Sequence, residues 1–485
     1  MSMHGADTLL VLPELVVLVG AVATLLLGSF LPRQRQWTAR LLAVAVLAGA
    51  VVVSVVAPRV GAGAEGPTTA FSGTFAVDGA TTVVRVVLCL STLLVVGLGV
   101  DELAGVPRES DTYALLLLGT LGGLVLASAT DLLVLAVAFL LSSVPLYGLI
   151  GLAGTSRAAE AVLKAYLLGA LLGIVMLLGV GLLYAGTAGT TYAELAERLP
   201  ASPAALAGAG LVAVLVGLLF EAGAVPAHFW VPDAAQGAST TAAAFLTTVP
   251  KVAALLAAYR FLEAATAGGT DPGLTRTALV VVGVVAVASM TLGNLAAFWQ
   301  DDVRRLLGWS TVSQVGYVLL PVAVVGAELA LASLLVYLAG YAVTNLTAFA
   351  VVAAHRDARS IADWAGLARR YPVTGVALVV ALLGLVGTPP TAVFVGKLAT
   401  FGAAWDAGAG WLAVVAVLNT VASLFYYLRW LAPAFRAVAD APGGDDPRRP
   451  LAWASRAAAA GSVGVLVVGL AAGVVVAAGG GAPVR

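Results

Sequence analysis

The sequence predicts an all-α integral membrane protein, and three observations predict it. Hydrophobic residues make up 61% of the 485 and charged residues only 10%, against about a quarter charged in a soluble domain. The apolar residues fall in long runs, unlike the short alternating strands of a lipid-spanning β-barrel. Arginines sit almost entirely in the short connections between those runs.

A spanning helix needs about 20 mostly apolar residues. Fourteen such runs follow one another, at 9–30, 37–57, 79–100, 112–129, 131–152, 160–185, 205–222, 240–262, 274–298, 304–326, 328–354, 372–400, 410–432 and 453–478. Met1 to Thr8, ahead of the first run, carries no Lys or Arg, so a cleavable leader is not expected. The third run holds Arg85, read as a partner of Asp78 or an outward anchor, and the single cysteine, Cys89. One cysteine makes no internal disulfide. His4, His228 and His355 lack metal-ligand spacing, so no metal is expected. Asp131 opens the fifth run as a cap. In the sixth run Lys164 follows Glu160 by four residues, an intrahelical pair or a proton station. The seventh run ends in "FEAGAVPAHFWVPD", which places Glu221 before a break at Gly223 and Pro226, then His228 and Asp233. Asp301, Asp302, Arg304 and Arg305 read as a solvated turn before the tenth run. The connections leave no space for a soluble domain, so residues 1–485 form one polytopic unit.

Alternating the connections puts sixteen arginines on one side, from Arg33 to Arg456, and five on the other: Arg59, Arg198, Arg260, Arg276 and Arg485. The positive-inside rule then places both termini outside the cytoplasm of a cell that carries the chain in its cytoplasmic membrane. The bias also supports an even number of crossings.

All three lysines, Lys164, Lys251 and Lys397, lie within apolar runs, although the connections use arginine alone. A charge at mid-bilayer costs at least about 2.5–3.5 kcal/mol on insertion scales. Lysine differs from arginine in being able to lose its proton near neutral pH when buried. Lys251 follows Pro250, and Lys397 follows Gly387, Pro389 and Pro390 by two to three turns. Proline frees a carbonyl inside a helix, and irregular backbone at membrane depth persists only in protein or beside water. Interruptions in the seventh and twelfth runs, five apart, fit inverted repeats over 112–262 and 274–432. His228, with a side chain that titrates near neutrality, suits a water-linked relay past the break.

Several stretches together resemble the antiporter-like subunits of respiratory complex I. They are "DLLVLAVAFLLSSVPLY", "AVLKAYLLGALLGIVMLLGVGLLYAGTAGT", "VPAHFWVPDAAQGASTTAAAFLTTVPKVAAL", "GNLAAFWQDDVRRLLGWSTVSQVGYVLL" and "GTPPTAVFVGK". The last, with "YLAGYAVTNLTAFAVV" and "LNTVASLFYYLRWL", favours the N type over the M type, which usually has Glu after the broken twelfth helix. The long C-terminal extension of the L type is absent. The resemblance implies fourteen helices, with helices 4–8 and 9–13 as inverted repeats holding broken helices 7 and 12. It implies a proton-translocating role beside partner subunits of the M, L, K and J types, in lipid and without nucleic acid. NADH, FMN, iron–sulfur clusters and quinone would be bound by those partners and others, none by this chain.

Carried over singly, the family's lysines of helices six, eight and twelve match Lys164, Lys251 and Lys397. The helix-five glutamate would stand five residues before Pro145, where this chain has Leu140. The helix-seven lysine would stand five residues before Pro226, where it has Glu221. Gln314 takes the place of a usual histidine. The acid of the pair has therefore changed helix, as in a divergent paralogue. Glu221 pairs with Lys251 or Lys164, or the first half-channel is weakened, or the chain serves assembly. A subunit of a multi-subunit cation/proton antiporter or of a membrane-bound hydrogenase is the alternative.

Overall fold

The computed structural model describes residues 3–61, 68–267, 269–437 and 449–479. Arg448 and Arg485, counted in the charge balance, lie outside them. In chain order the helices begin with α1 (Met3–Leu10), α2 (Leu12–Phe30), α3 (Trp37–Gly61), α4 (Gly79–Leu103), α5 (Glu109–Ser128), α6 (Leu132–Gly151) and α7 (Ser156–Thr187). Then come the short α8 (Tyr192–Arg198), α9 (Ala204–Ala222), α10 (Trp230–Gly237), α11 (Thr240–Leu246) and α12 (Val249–Thr266). The second half holds α13 (Pro272–Ala297), α14 (Val303–Ala323), α15 (Ala330–Ala354), α16 (Leu367–Arg370), α17 (Pro372–Val386), α18 (Ala392–Asp406), α19 (Gly410–Ala434), α20 (Ala452–Leu470) and α21 (Ala472–Gly479). Thirteen helices among the described residues, α11 and α12 taken as one, are long and apolar enough to cross a membrane. The run at 372–400 supplies the fourteenth crossing as two pieces, α17 and α18. The chain is thus a multi-pass helical membrane protein.

Burial separates inner from outer helices. The spans α11–α12, α14 and α15 are 94% buried or more, whereas α3, α7 and α20 are about one-third buried. Helix α12 runs through the middle, packed on α4, α5, α9, α14 and α15. Exposed Leu, Val and Ile side chains line the outer helices, as a lipid-solvated surface requires. A small antiparallel hairpin, Thr68–Ala70 with Phe75–Val77, closes one end and was not foreseen.

Both long breaks are where the breakers stand. Helix α9 ends at Gly223 (φ +80°) and α17 at Gly387 (φ +89°), conformations that L side chains rarely adopt. Irregular backbone follows each before α10 and α18 resume.

Two expectations about arginines are corrected. Arg85 neither meets Asp78 nor points outward; it is buried, and its Nε donates to Glu14 Oε1 at 2.8 Å. Arg260, assigned to an outer connection, lies inside α12 and is 3% exposed. It donates to both Asp78 oxygens, at 2.8 and 2.6 Å, to Thr81 and to the Ala127 carbonyl. Burial would raise the Asp78 carboxyl, yet the Arg260 guanidinium, aided by Thr81, holds it at about 2. This bidentate pair ties α12 to the start of α4 and the end of α5.

Candidate functional site

Glu221 occupies the last turn of α9 and is fully buried. Its carboxylate does not face a lysine. The Ser142 hydroxyl donates to Oε1 at 2.6 Å and the Ser143 hydroxyl to Oε2 at 2.7 Å. Both serines come from α6, the helix in which an acid was expected. Leu140 is 46% exposed and belongs to an outward stripe with Leu133, Val137 and Val144. The position counted from Pro145 therefore faces away from Glu221, and the serines take the inward positions.

Lys251 is fully buried and donates from Nζ to the backbone carbonyl of Glu221 at 2.8 Å. Its ammonium also sits 4.2 Å above the Trp230 ring, and Trp230 Nε1 donates to the Phe220 carbonyl at 3.3 Å. The lysine thus caps the C-terminus of α9, where carbonyls point outward and the helix dipole favours a cation. Glu221 meets Lys251 through its main chain, while its side chain belongs to the serines.

Lys397 repeats the anchoring without the acid. Its Nζ donates to the Val386 carbonyl at 2.9 Å and the Leu385 carbonyl at 3.4 Å, at the C-terminus of α17. Tyr317 provides the ring, 4.0 Å away. Gln314 Nε2 donates to the same Leu385 carbonyl at 2.9 Å, and the Tyr337 hydroxyl donates to Gln314 Oε1 at 2.8 Å.

Buried polar groups lie between the two lysines. The turn between α11 and α12 presents Thr247 and Thr248, one helical turn before Lys251. Asn345 Nδ2 donates to both their hydroxyls, at 3.0 and 2.9 Å. The Tyr341 hydroxyl lies 2.6 Å from the Thr247 carbonyl and 3.2 Å from Thr311 Oγ1. Thr311 is one turn from Gln314, which shares a carbonyl with Lys397. Asn345 Oδ1, also buried, has no hydrogen-bond partner among the described residues. The belt's α15 residues were missed by sequence reading. Their signal was present, because Tyr337, Tyr341 and Asn345 recur every four residues on one face of an apolar run.

Lys164 and His228 stand apart from this belt. Lys164 is 44% exposed and binds Glu160 at 2.6 Å and Asp233 at 2.7 Å, and Arg305 also binds Asp233. These residues form a charged cluster at the arginine-rich end. His228 is buried in the break, beside Phe229 and 5.4 Å from the Trp309 ring, and its Nδ1 has no partner among the described residues. No group of three or more His, Cys, Asp or Glu among the described residues is arranged to hold a metal.

Residues 129–423 match the transmembrane family described as NADH:quinone oxidoreductase/Mrp antiporter. An NADH-quinone oxidoreductase subunit N of Mycobacterium sp. strain JLS is 52% identical over 467 residues, covering 96% of this chain and 97% of that protein. A subunit N 1 of Streptomyces griseus is 48% identical, covering 97% of each. Among solved structures, a chain of respiratory complex I from Thermus thermophilus with bound aureothin superposes with a TM-score of 0.80 at 32% identity, over 97% of this chain and all of that one. A chain of the Mrp complex from Dietzia sp. DQ12-45-1b shares the fold, with a TM-score of 0.84 at 24% identity, over 99% of this chain and 97% of its own.

Proposed function

Starting from the fact that this chain belongs to the NADH-quinone oxidoreductase subunit N family of antiporter-like membrane subunits, we propose that it moves protons across the cell membrane within the membrane arm of such a complex. Electron transfer from NADH to quinone, with flavin and iron–sulfur clusters, takes place in partner subunits. Antiporter-like subunits of the M and L types and the small K and J types lie beside it in the membrane. The arginine-rich end faces the cytoplasm and the termini face outward. Residues 112–262 and 274–432 act as two inverted halves, each built on a broken helix.

The observation that carries this reading is the pair of buried lysines, each seated on the open carbonyl end of a broken helix, with buried hydroxyls and amides lying between them. A carbonyl can hold an ammonium by hydrogen bonding without an ion pair to fix its charge. The lysine can then lose its proton and regain it. Glu221, held by hydroxyls that can both donate and accept, is the matching acid.

The test is Lys397→Ala in the assembled complex, reconstituted into vesicles. Protons moved per NADH oxidised should fall while the complex still assembles. Unchanged pumping would refute the reading. Transport of sodium in place of protons would instead favour the antiporter branch of the family.

A further inference from the structure

Helix α10 has to be held from outside. It is eight residues long, its N-terminus carries no side-chain cap, and irregular backbone from Gly223 to Phe229 separates it from α9. A helix that short is marginal unless tertiary contacts fix it. Its first residue is Trp230, whose ring lies 4.2 Å from Lys251 Nζ. Whatever holds α10 therefore also sets the cover of that lysine.

The first turns of α14 supply the hold. Arg305 donates from Nη1 to Asp233 Oδ1 and, at 3.2 Å, to Gln236 Oε1. Arg304 donates to the Gln236 carbonyl at 2.6 Å and the Ala238 carbonyl at 2.8 Å, at the open C-terminal end of α10. Asp302 caps α14 through Oδ1 and accepts from Gln236 Nε2 through Oδ2 at 3.2 Å. One turn on, Gly308 lets the two helices touch: a Cβ there would lie 2.7 Å from Pro232 Cα and 3.1 Å from Ala235 Cβ. From the other side Lys164 of α7 takes Asp233 Oδ2 at 2.7 Å. The turn expected to be solvated is thus part of the packing, and of its four charged residues only Asp301 is exposed. Helix α14 is also a firm frame. Its span is 94% buried, and about 14 Å beyond Arg305 its Gln314 holds the Leu385 carbonyl shared with Lys397. Arginines at this end also orient a chain in its membrane. Orientation does not require a 9% exposed guanidinium on two backbone carbonyls, or a second one shared between two side chains of a single short helix.

We propose that Arg305 is a positioning residue for Lys251. From α14 it fixes α10 through Asp233 and Gln236, and α10 keeps the Trp230 ring over the ammonium. Arg304 and Gly308 complete the seat in which α10 lies. Asp233 and Trp230 are one helical turn apart, so a shift of the anchored carboxylate carries the ring with it. The role rests on the proposal that Lys251 carries protons.

The experiment compares Arg305→Gln, Arg305→Lys, Gly308→Ala, Trp230→Leu and Lys251→Met in assembled complexes in sealed vesicles. It reads protons moved per NADH oxidised, the pH profile of pumping and the melting temperature. Arg305→Gln should lower pumping roughly threefold, within what loss of a cation–ring contact allows, and displace the pH profile in the direction that Trp230→Leu does. Arg305→Lys keeps a charged donor for Asp233 and should retain most pumping. Gly308→Ala keeps every charge but forces α10 away from α14, so it should resemble Arg305→Gln. A role for Arg305 as surface charge alone would leave Gly308→Ala normal. Added to Trp230→Leu, Arg305→Gln should lower the melting temperature further yet cost no further pumping, whereas a purely structural grip would lower both together. Normal pumping by Arg305→Gln, or a further loss of pumping when it is added to Trp230→Leu, overturns the proposal. If Arg305→Gln does not assemble, normal pumping by Gly308→Ala overturns it. Lys251→Met separates the two readings. Its loss of pumping beside normal Arg305→Gln and Gly308→Ala removes only the grip, whereas normal pumping by Lys251→Met removes the lysine's role as well.

Discussion

The Lys251 and Lys397 sites solve one problem with different parts. Each seats an ammonium on the terminal carbonyl of a helix stopped by a glycine, and each covers it with an aromatic ring. Among the described residues, only the first has an acid close by. Glu221 lends its carbonyl to Lys251 and its carboxylate to two serines, so charge in that region is shared between a cation and an anion. Lys397 has glutamine and tyrosine neighbours instead. The lysines also stand differently on their scaffolds. Lys251 lies on α12, beyond the broken helix, whereas Lys397 lies on α18, the second half of the broken helix itself. What recurs is the broken helix and its carbonyl end, while the lysine position and its partner vary.

The largest effect should come from removing the lysines. Lys397→Met should lower pumping roughly a hundredfold or more, since no carboxylate or second lysine stands beside it among the described residues and a positioned acid–base group is worth about 10²–10⁴-fold. Lys251→Met should fall short of it, because Glu221 and its serines remain able to hold a proton. Proton uptake in reconstituted vesicles checks both. Equal losses would show that Glu221 adds nothing to the first site.

The glycines come next. Alanine at Gly223 or Gly387 must adopt a positive φ, which costs of order 1–3 kcal/mol. A Cβ at Gly387 would lie 3.0 Å from Lys397 Cδ, and one at Gly223 would lie 2.8 Å from Val231 and 3.6 Å from Lys251 Nζ. Gly387→Ala should therefore disturb its lysine directly, and pumping should fall more than thermal stability predicts. Gly223→Ala should push Val231 first and act mainly on stability. Melting and pumping measured on the same preparations separate these outcomes.

Much of this was legible before the structure, and the limits have physical causes. Glycine and proline act on their own backbone, so the breaks at Gly223 and Gly387 could be read locally. The partner of an arginine is a long-range matter. Arg260 and Asp78 are 182 residues apart, and Arg85 and Glu14 are 71 apart. Carbonyl ligands leave no mark on side-chain identity, so the seats of Lys251 and Lys397 could not be foreseen. The expected meeting of the Glu221 carboxylate with a lysine misled for the same reason. Composition makes a buried acid and a buried base attractive partners, but serine hydroxyls satisfy a carboxylate equally well.

Smaller effects should follow from the rings. A cation above an aromatic face gains about 0.5–2 kcal/mol. Tyr317→Leu should remove that from Lys397 and shift its protonation, seen as a displaced pH profile of pumping. Trp230→Leu should do less to the profile, because Glu221 still acts on Lys251, and more to folding, because the Trp230 bond to the Phe220 carbonyl is lost. A larger profile shift at Trp230 would reverse this ordering.

The smallest effect should come from moving the acid back to α6. Leu140→Glu with Glu221→Lys recreates the arrangement that the family resemblance implies. If residues 140 and 221 faced each other, the double variant would recover what each single change loses. Leu140 is 46% exposed, on the stripe opposite Ser142, which binds Glu221. Successive helix residues turn by about 100°, so a side chain at 140 leaves the helix about 160° from Ser142 and about 60° from Ser143, on the outer side of that serine. A glutamate there would face lipid or a neighbouring subunit. It would not form a pair with residue 221, and a lysine at 221 would meet the two serines and the nearby Lys251 cation. The double variant should pump no better than Glu221→Lys alone, with a coupling energy below about 0.5 kcal/mol in a double-mutant cycle on proton uptake. A coupling well above that would mean that α6 turns in the assembled complex to bring residue 140 inward, and the contrast between the two lysine sites would then narrow to a difference of conformation.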